Sequence, residues 1–250
     1  MTHLRVRSLV VESARPSELC ATCEARPSSV CNAIDQRDIE RLASLAASLT
    51  VDAGRTFIEE GDPAEHFFNV TAGTAKLFKL LPDGRRQITG FAPMGTFLGL
   101  AVSSTYAFGA EAVEPMRICR FSRSKLRTLL DDFPAMEKRL LEVASNELVA
   151  AQEQMLLLGR KTARERLASF LVTRAACVSN GASPCGHRSA EKVTLPMTRS
   201  DIADYLGLTI ETVSRTLTRF KSERLIDIPS ASEIVMRDHG ALESLATGLH

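Results

Sequence analysis

The rhythm of apolar residues changes several times along this 250-residue chain, and each change predicts a different kind of element. Behind a polar leader, Ile39, Leu42, Leu45 and Ala46 recur at helical spacing and predict a short amphipathic helix over 35–49. From 50 to 121, short runs rich in Val, Phe, Ile and Thr are broken by turn signals at Gly54, Gly61-Asp62-Pro63, Gly73, Pro82-Asp83-Gly84, Gly95 and Gly99. Many short strands at such spacing predict a β-sandwich or β-barrel. Helical periodicity returns over 122–130, and a long helix then runs from Pro134, a residue suited to a first turn, to about Gly159. On it Leu141, Ala144, Leu148, Ala151, Met155 and Leu158 alternate in steps of three and four, the pattern of a coiled-coil seam. Such a seam serves a parallel dimer or the packing of the helix on its own barrel. Its flanks, Glu147 and Gln152, offer no ion pair across a parallel dimer, so association there rests on apolar area.

A further helix over 162–177 and a Gly-, Pro- and Ser-bearing loop over 179–190 lead to the last unit. Thr198 with Asp201 three residues on predicts a capped helix to Leu206. Gly207-Leu208-Thr209 then makes a turn, and a second helix runs from Ile210 to about Glu223, with Val213, Leu217 and Phe220 facing inward. This is a helix-turn-helix, whose second helix enters the DNA major groove by its N-terminal end. Arg215 has the fork for a guanine, Glu211 an acceptor for a cytosine amine, and Ser214 reaches a base edge or phosphate. Thr212 lies on the same end, and Arg219, Lys221 and Arg224 lie further along, placed for phosphates. An ordinary helical hairpin would show the same turn. Ile226, Ile228, Ile234 and Val235, flanking 229–232, predict a β-hairpin wing after it and favour the DNA reading.

Composition narrows the classes. Lys and Arg number 31 against 30 Asp and Glu, so a DNA-binding surface must be a local patch. No run approaches the roughly 18 apolar residues of a membrane span, and 1–18 lacks the apolar stretch of a signal peptide, so a cytoplasmic protein is expected. No G-x-S-x-G, H-E-x-x-H or Walker loop is present, which argues against an enzyme. Six cysteines stand at 20, 23, 31, 119, 177 and 185, three of them crowded into 20–31. In a reducing compartment they point to metal or redox chemistry: a metal site, a structural zinc included, or thiol oxidation without metal. Cys177, Cys185 and His187 make a weaker set, and Cys185 a candidate oxidisable thiol. His66, beside two phenylalanines, reads as structural.

The order of strands, long helix and winged helix-turn-helix, with Thr209-Ile210-Glu211-Thr212-Val213-Ser214-Arg215, resembles the CRP/FNR superfamily of bacterial regulators. The Glu-x-x-Ser-Arg phrase is similar to the FNR and FixK branches. The resemblance implies an α+β fold: a cyclic-nucleotide-binding-like β-barrel (jelly roll), a dimerisation helix and a winged helix-turn-helix. The expected divisions are a cysteine-rich leader (1–34), a sensor barrel (35–133), the dimer helix (134–159) and the DNA-binding domain (160–250). It implies that Glu211, Ser214 and Arg215 contact bases of a TTGAT-N4-ATCAA palindrome, bound by a homodimer. Cys20, Cys23, Cys31 and Cys119 resemble the oxygen-sensing FNR set that holds a [4Fe-4S] cluster, which implies an oxygen-responsive activator. The turn 82–86 becomes a candidate RNA polymerase contact. Cyclic-AMP-binding members carry a Glu and an Arg-Ser pair where this chain has Leu100 and Tyr106-Ala107, so no cyclic nucleotide is expected. The alternative is a member answering another small molecule or thiol oxidation.

Overall fold

The computed structural model describes residues 10–11, 20–100, 103–179 and 192–248. It divides into two compact units. The first takes the described residues up to Pro82 and Thr89–Val149; the second takes Asp83–Ile88 and Ala150–His250.

The first unit is a jelly-roll-like pair of sheets rather than a closed barrel. One sheet has the order β1-β2-β9-β4-β7, from Val10–Val11, Ala46–Val51, Met116–Ser122, His66–Ala72 and Phe97–Leu98. The other, β3-β8-β5-β6, is built from Thr56–Ile58, Gly109–Ala112, Ala75–Leu80 and Arg86–Ala92. Strand alternation gives the first sheet two apolar faces. Leu49, Val51, Phe68, Val70, Met116 and Ile118 fill the core between the sheets with Ile58, Ala75 and Ala110. Phe67, Phe97 and Phe121 sit in a second cluster with Val30, Cys31 and Ile34 of the leader. That cluster also takes Ile39 and Leu42 of α1 (Ile39–Ala43), Leu126 and Leu129 of α2 (Arg123–Asp132), and Met136 in the first turn of α3 (Pro134–Arg160).

The helix predicted over 35–49 is shorter. A 3-10 turn at Gln36–Asp38 leads into α1, which stops at Ala43, and Ala46–Val51 is strand β2. Alternation explains the difference: Leu49 and Val51 enter the inter-sheet core, while Ser48, one residue before Leu49 and on the opposite face, pairs across the ladder with Cys119. The pairing energy of a six-residue ladder against β9 outweighs a helical period that only Leu45 and Ala46 extended.

In the second unit, the end of α3 is followed by α4 (Ala163–Ser179), α5 (Arg199–Leu206), α6 (Ile210–Ser222) and α7 (His239–Thr247). A three-stranded sheet, β10-β12-β11, comprises Lys192–Thr194, Glu233–Met236 and Ile226–Ser230. The predicted wing hairpin is therefore present, with an unpredicted third strand, β10, alongside it. The loop residues Cys185 and His187 lie outside the described residues, as does the side chain of Cys177. Among the described residues, no helix is long and apolar enough to cross a membrane.

Gly95 shows how closely the leader sits on the first sheet. Its φ is +93°, and a Cβ there would come within 2.3 Å of the Ser28 hydroxyl oxygen, whereas a Cβ on Gly54 (φ +75°) meets nothing within 4 Å. Gly54→Ala therefore carries only the left-handed backbone penalty, about 1 kcal/mol, while Gly95→Ala adds a collision with the leader. Gly95→Ala is expected to lower the melting temperature further and to speed alkylation of buried Cys31, measured by mass spectrometry after a timed maleimide pulse. Equal alkylation rates in the two variants would contradict this account of the leader.

Candidate DNA-reading helix and cysteine cluster

The reading head is built from capped helix ends. Thr198 accepts from the Asp201 N–H at 3.1 Å, and the Asp201 carboxylate accepts from the Thr198 N–H at 3.0 Å, a reciprocal box that starts α5. Gly207 ends the helix in the left-handed region at φ 61°. Thr209 then starts α6 by accepting from the Thr212 N–H at 3.2 Å. Val213, Leu217 and Phe220 are buried, as their spacing predicts.

The opposite face carries the predicted reading residues. Glu211 and Arg215 are exposed. Its own backbone N–H holds the Glu211 carboxyl below the usual carboxylate range, with the Thr209 hydroxyl and then Arg215 adding to the effect. The helix N-terminus thus keeps an ionised acceptor at the leading end of α6. Ser214 is half-buried and accepts a long bond, 3.4 Å, from Arg199. Arg199 is an exposed cation beside the reading helix that sequence reasoning missed; its place just after the Thr198 cap was the available signal. The Thr212 hydroxyl is 3.1 Å from that of Thr209, so its nearest visible task is the helix start. Arg219 donates to Glu223 at 2.9 Å, and Arg164 pairs with the same carboxylate.

Along α3, Leu141 (68% exposed), Ala144, Leu148, Ala151 and Met155 (67% exposed) form a continuous solvent-facing strip. Val149 and Leu156, each one residue beyond a seam position and also exposed, widen it beyond the predicted line. Leu158 differs from the rest of the set: it is half-buried, and its Cδ2 lies 3.2 Å from where a Cβ on Gly207 would stand.

Cys20, Cys31 and Cys119 belong to the apolar cluster on the outer face of the first sheet. Cys23 lies close enough to Cys20 and Cys31 for its charge to raise both thiols. Burial pushes the Cys31 thiol up to about 11, opposed first by a hydrogen bond from Ser29. Among the described residues, no three His, Cys, Asp or Glu side chains are arranged to hold a metal ion. Ladder partners share a face of a sheet, so Ser48, Cys119, Asn69 and Phe97 form one row across β2, β9, β4 and β7. Asn69 is 2% exposed, and its Oδ1 has no hydrogen-bond partner among the described residues.

Two family descriptions match this architecture: "Crp-like helix-turn-helix domain" over residues 165–245 and "Cyclic nucleotide-binding domain" over residues 48–133. The chain is 39% identical over 229 residues to the nitrogen fixation regulation protein FixK of Bradyrhizobium diazoefficiens, spanning 91% of this chain and 93% of that relative. The chain belongs to the CRP/FNR superfamily, in its FixK-like branch. Another relative is the transcriptional activator protein FnrL of Cereibacter sphaeroides, 35% identical over 225 residues, with 89% and 90% of the two chains covered. The solved structure of FixK2 from Bradyrhizobium japonicum matches with a TM-score of 0.73 and 34% identity, over 80% of this chain and 96% of that one.

CRP/FNR membership makes this chain a DNA-binding transcription regulator of the FixK/FNR type, not an enzyme. In the superfamily's ligand domain, this member turns Leu100 partly into the outer apolar cluster. Tyr106 is committed locally: its hydroxyl donates to the His66 carbonyl at 2.9 Å and accepts from the His66 N–H at 3.2 Å. Burial holds the His66 imidazole below its usual range, and Arg120 pushes the same way, which agrees with a structural role.

Thr209→Ala removes the cap and one of the two bonds on Glu211. It is expected to cost about 1 kcal/mol in chemical denaturation and to raise the Glu211 pKa in a carbon-13 NMR titration. The sign is that of a depressed carboxyl: its stabilisation is present above the unfolded-state pKa and is lost as pH falls through the folded one. An unmoved titration would show that Thr209 does not hold the carboxylate.

Proposed function

We propose that this chain is an oxygen-responsive FixK/FNR-type regulator that binds a TTGAT-N4-ATCAA palindrome as a homodimer, with Cys20, Cys23, Cys31 and Cys119 holding a [4Fe-4S] cluster. The observation that carries this reading is a shared packing unit: Cys20, Cys31, Cys119 and Met136 of the α3 first turn all lie in one apolar cluster.

Four thiolates are the donor set that such a cluster takes. The buried Asn69 amide adds to the fit, because it stands beside Cys119 in the ladder with an oxygen that has no partner among the described residues. Amide oxygen and nitrogen exchange by a flip, so a flipped Asn69 amide would offer an N–H at that buried position instead. When bound, the cluster supplies iron–thiolate bonds that oxygen can break. The three leader cysteines then tie 20–31 to β9 through Cys119. Without that tie, the leader is held by Val30, Ile34 and their neighbours alone, and the covering over Met136 weakens.

On α3 the exposed strip from Leu141 to Met155 is covered by the same strip of a second copy, with Ala144 and Ala151 allowing close approach. Two reading helices then meet half-sites one turn of DNA apart, roughly 34 to 36 Å. Glu211, Ser214 and Arg215 read bases, and Arg199 joins Arg219 as a phosphate-side cation. The turn 82–86, in which Asp83 holds Arg85 at 2.8 Å, is offered to RNA polymerase. Leu100 and Tyr106 leave a cyclic nucleotide without ribose acceptor or anion clamp, and none binds.

Two experiments test the reading. Protein reconstituted anaerobically with iron and sulfide should show visible cluster absorbance that bleaches in air together with loss of palindrome binding, and Cys119→Ser should abolish both. A colourless product, or binding indifferent to air, would remove the cluster from the account. Separately, Arg215→Ala should flatten discrimination at one guanine by about 1–3 kcal/mol, whereas Arg219→Ala should weaken all sequences alike, as read by competition binding over single-base variants.

A further inference from the structure

We propose that Arg166 is the positioning residue that sets the direction of the reading head on the end of α3, an inference that rests on the dimeric reading above. Arg166 lies near the start of α4. Its Nε donates to the Lys161 carbonyl at 2.9 Å and its Nη2 to the Leu158 carbonyl at 2.8 Å. Its Nη1 donates to the Leu206 carbonyl at 2.8 Å and, at a longer 3.4 Å, to the Gly207 carbonyl. One guanidinium thus serves the C-terminal ends of two helices, α3 and α5, the second of which leads into the turn before α6.

The last carbonyls of a helix have no donor within it and carry the negative end of its dipole. At α3 this shortage is visible. The Lys161 N–H goes to Leu157 at 3.3 Å and the Thr162 N–H goes to the Glu165 carboxylate at 2.7 Å, so the Leu158 carbonyl takes its donor from Arg166. Two helix ends pointing their carbonyls at one place repel each other unless a cation lies between them. Arginine suits the place because its rigid planar fork donates in several directions at once; a lysine point charge cannot span both ends.

Two neighbouring contacts reinforce the joint. Gln154 of α3 donates to the Tyr205 carbonyl of α5 at 2.9 Å. A Cβ on Gly207 would stand 3.2 Å from Leu158 Cδ2 and 3.4 Å from Arg166 Nη1, so the turn fits closely over both. The half-burial of Leu158 follows from this role.

A rigid joint has a measurable consequence in a dimer. Adding one base pair to the gap of a palindrome turns one half-site by about 34° and moves it by about 3.4 Å. A fixed reading head resists that change; a loosened one tolerates it while losing part of the gain from binding both halves.

The test compares full-length wild type, Arg166→Ala and Arg166→Lys, prepared and assayed without oxygen. Fluorescence anisotropy is read on one half-site and on palindromes with gaps of three, four and five base pairs. Both variants should bind the half-site within about twofold of wild type, lose about tenfold on the four-base-pair palindrome, and prefer that gap less sharply. Thermal unfolding identifies a variant that fails to fold; should Arg166→Ala do so, Arg166→Lys, which keeps the charge, decides. Unchanged gap preference overturns the proposal, and so does an equal loss on half-site and palindrome, which would mean simple destabilisation. Wild type with no gain from half-site to palindrome would remove the dimeric reading and this proposal with it.

Discussion

The first unit depends on the apolar cluster gathered around Phe121 on the outer face of its larger sheet. A sheet buried on one side only would leave Phe67, Phe97 and Phe121 in water. Burying each such side chain is worth about 1.5–3 kcal/mol, and here the leader, α1, α2 and the first turn of α3 supply the cover. Rings stack through the cluster, with centroids of Phe67 and Phe97 at 5.6 Å and of Phe97 and Phe121 at 6.3 Å. At its edge, Arg41 lies 4.8 Å from the Phe133 ring centre and pairs with Asp132. One packing event therefore decides the seat of the cysteine-bearing leader and the starting direction of the long helix.

Polar bonds at helix ends do the corresponding task in the second unit. The Thr198–Asp201 box, Gly207, Thr209 and the Arg166 fork fix where each helix of the reading head begins or stops. The buried stripe Val213, Leu217 and Phe220 then leaves α6 one permitted rotation, and that rotation turns Glu211 and Arg215 outward.

Much of this was legible in the residues, for physical reasons that differ by element. The α5 box and the α6 stripe are local signals, complete within a few positions, and the structure reproduces them. The strands between Thr50 and Phe121 were marked by turn glycines, six of which take positive φ, from Gly54 to Gly99. The segment Ala46–Val51 misled because a helical and a strand period agree over its first residues, and only the ladder with β9, seventy residues away, breaks the tie. Long-range partners explain the other omissions. β10 has no strong pattern of its own and exists by pairing with β12; Arg166 reads as an ordinary helical arginine until the two helix ends it bridges are in view; and Asn69 looks like any polar strand residue before its burial is known.

The oily strip on α3 has a consequence beyond shape. A lone copy must hold Leu141, Leu148, Val149, Met155 and Leu156 against water, so the balance between single and paired chains follows mass action. How many molecules a cell makes then becomes an input in its own right, and a rise in synthesis would by itself push operator occupancy upward.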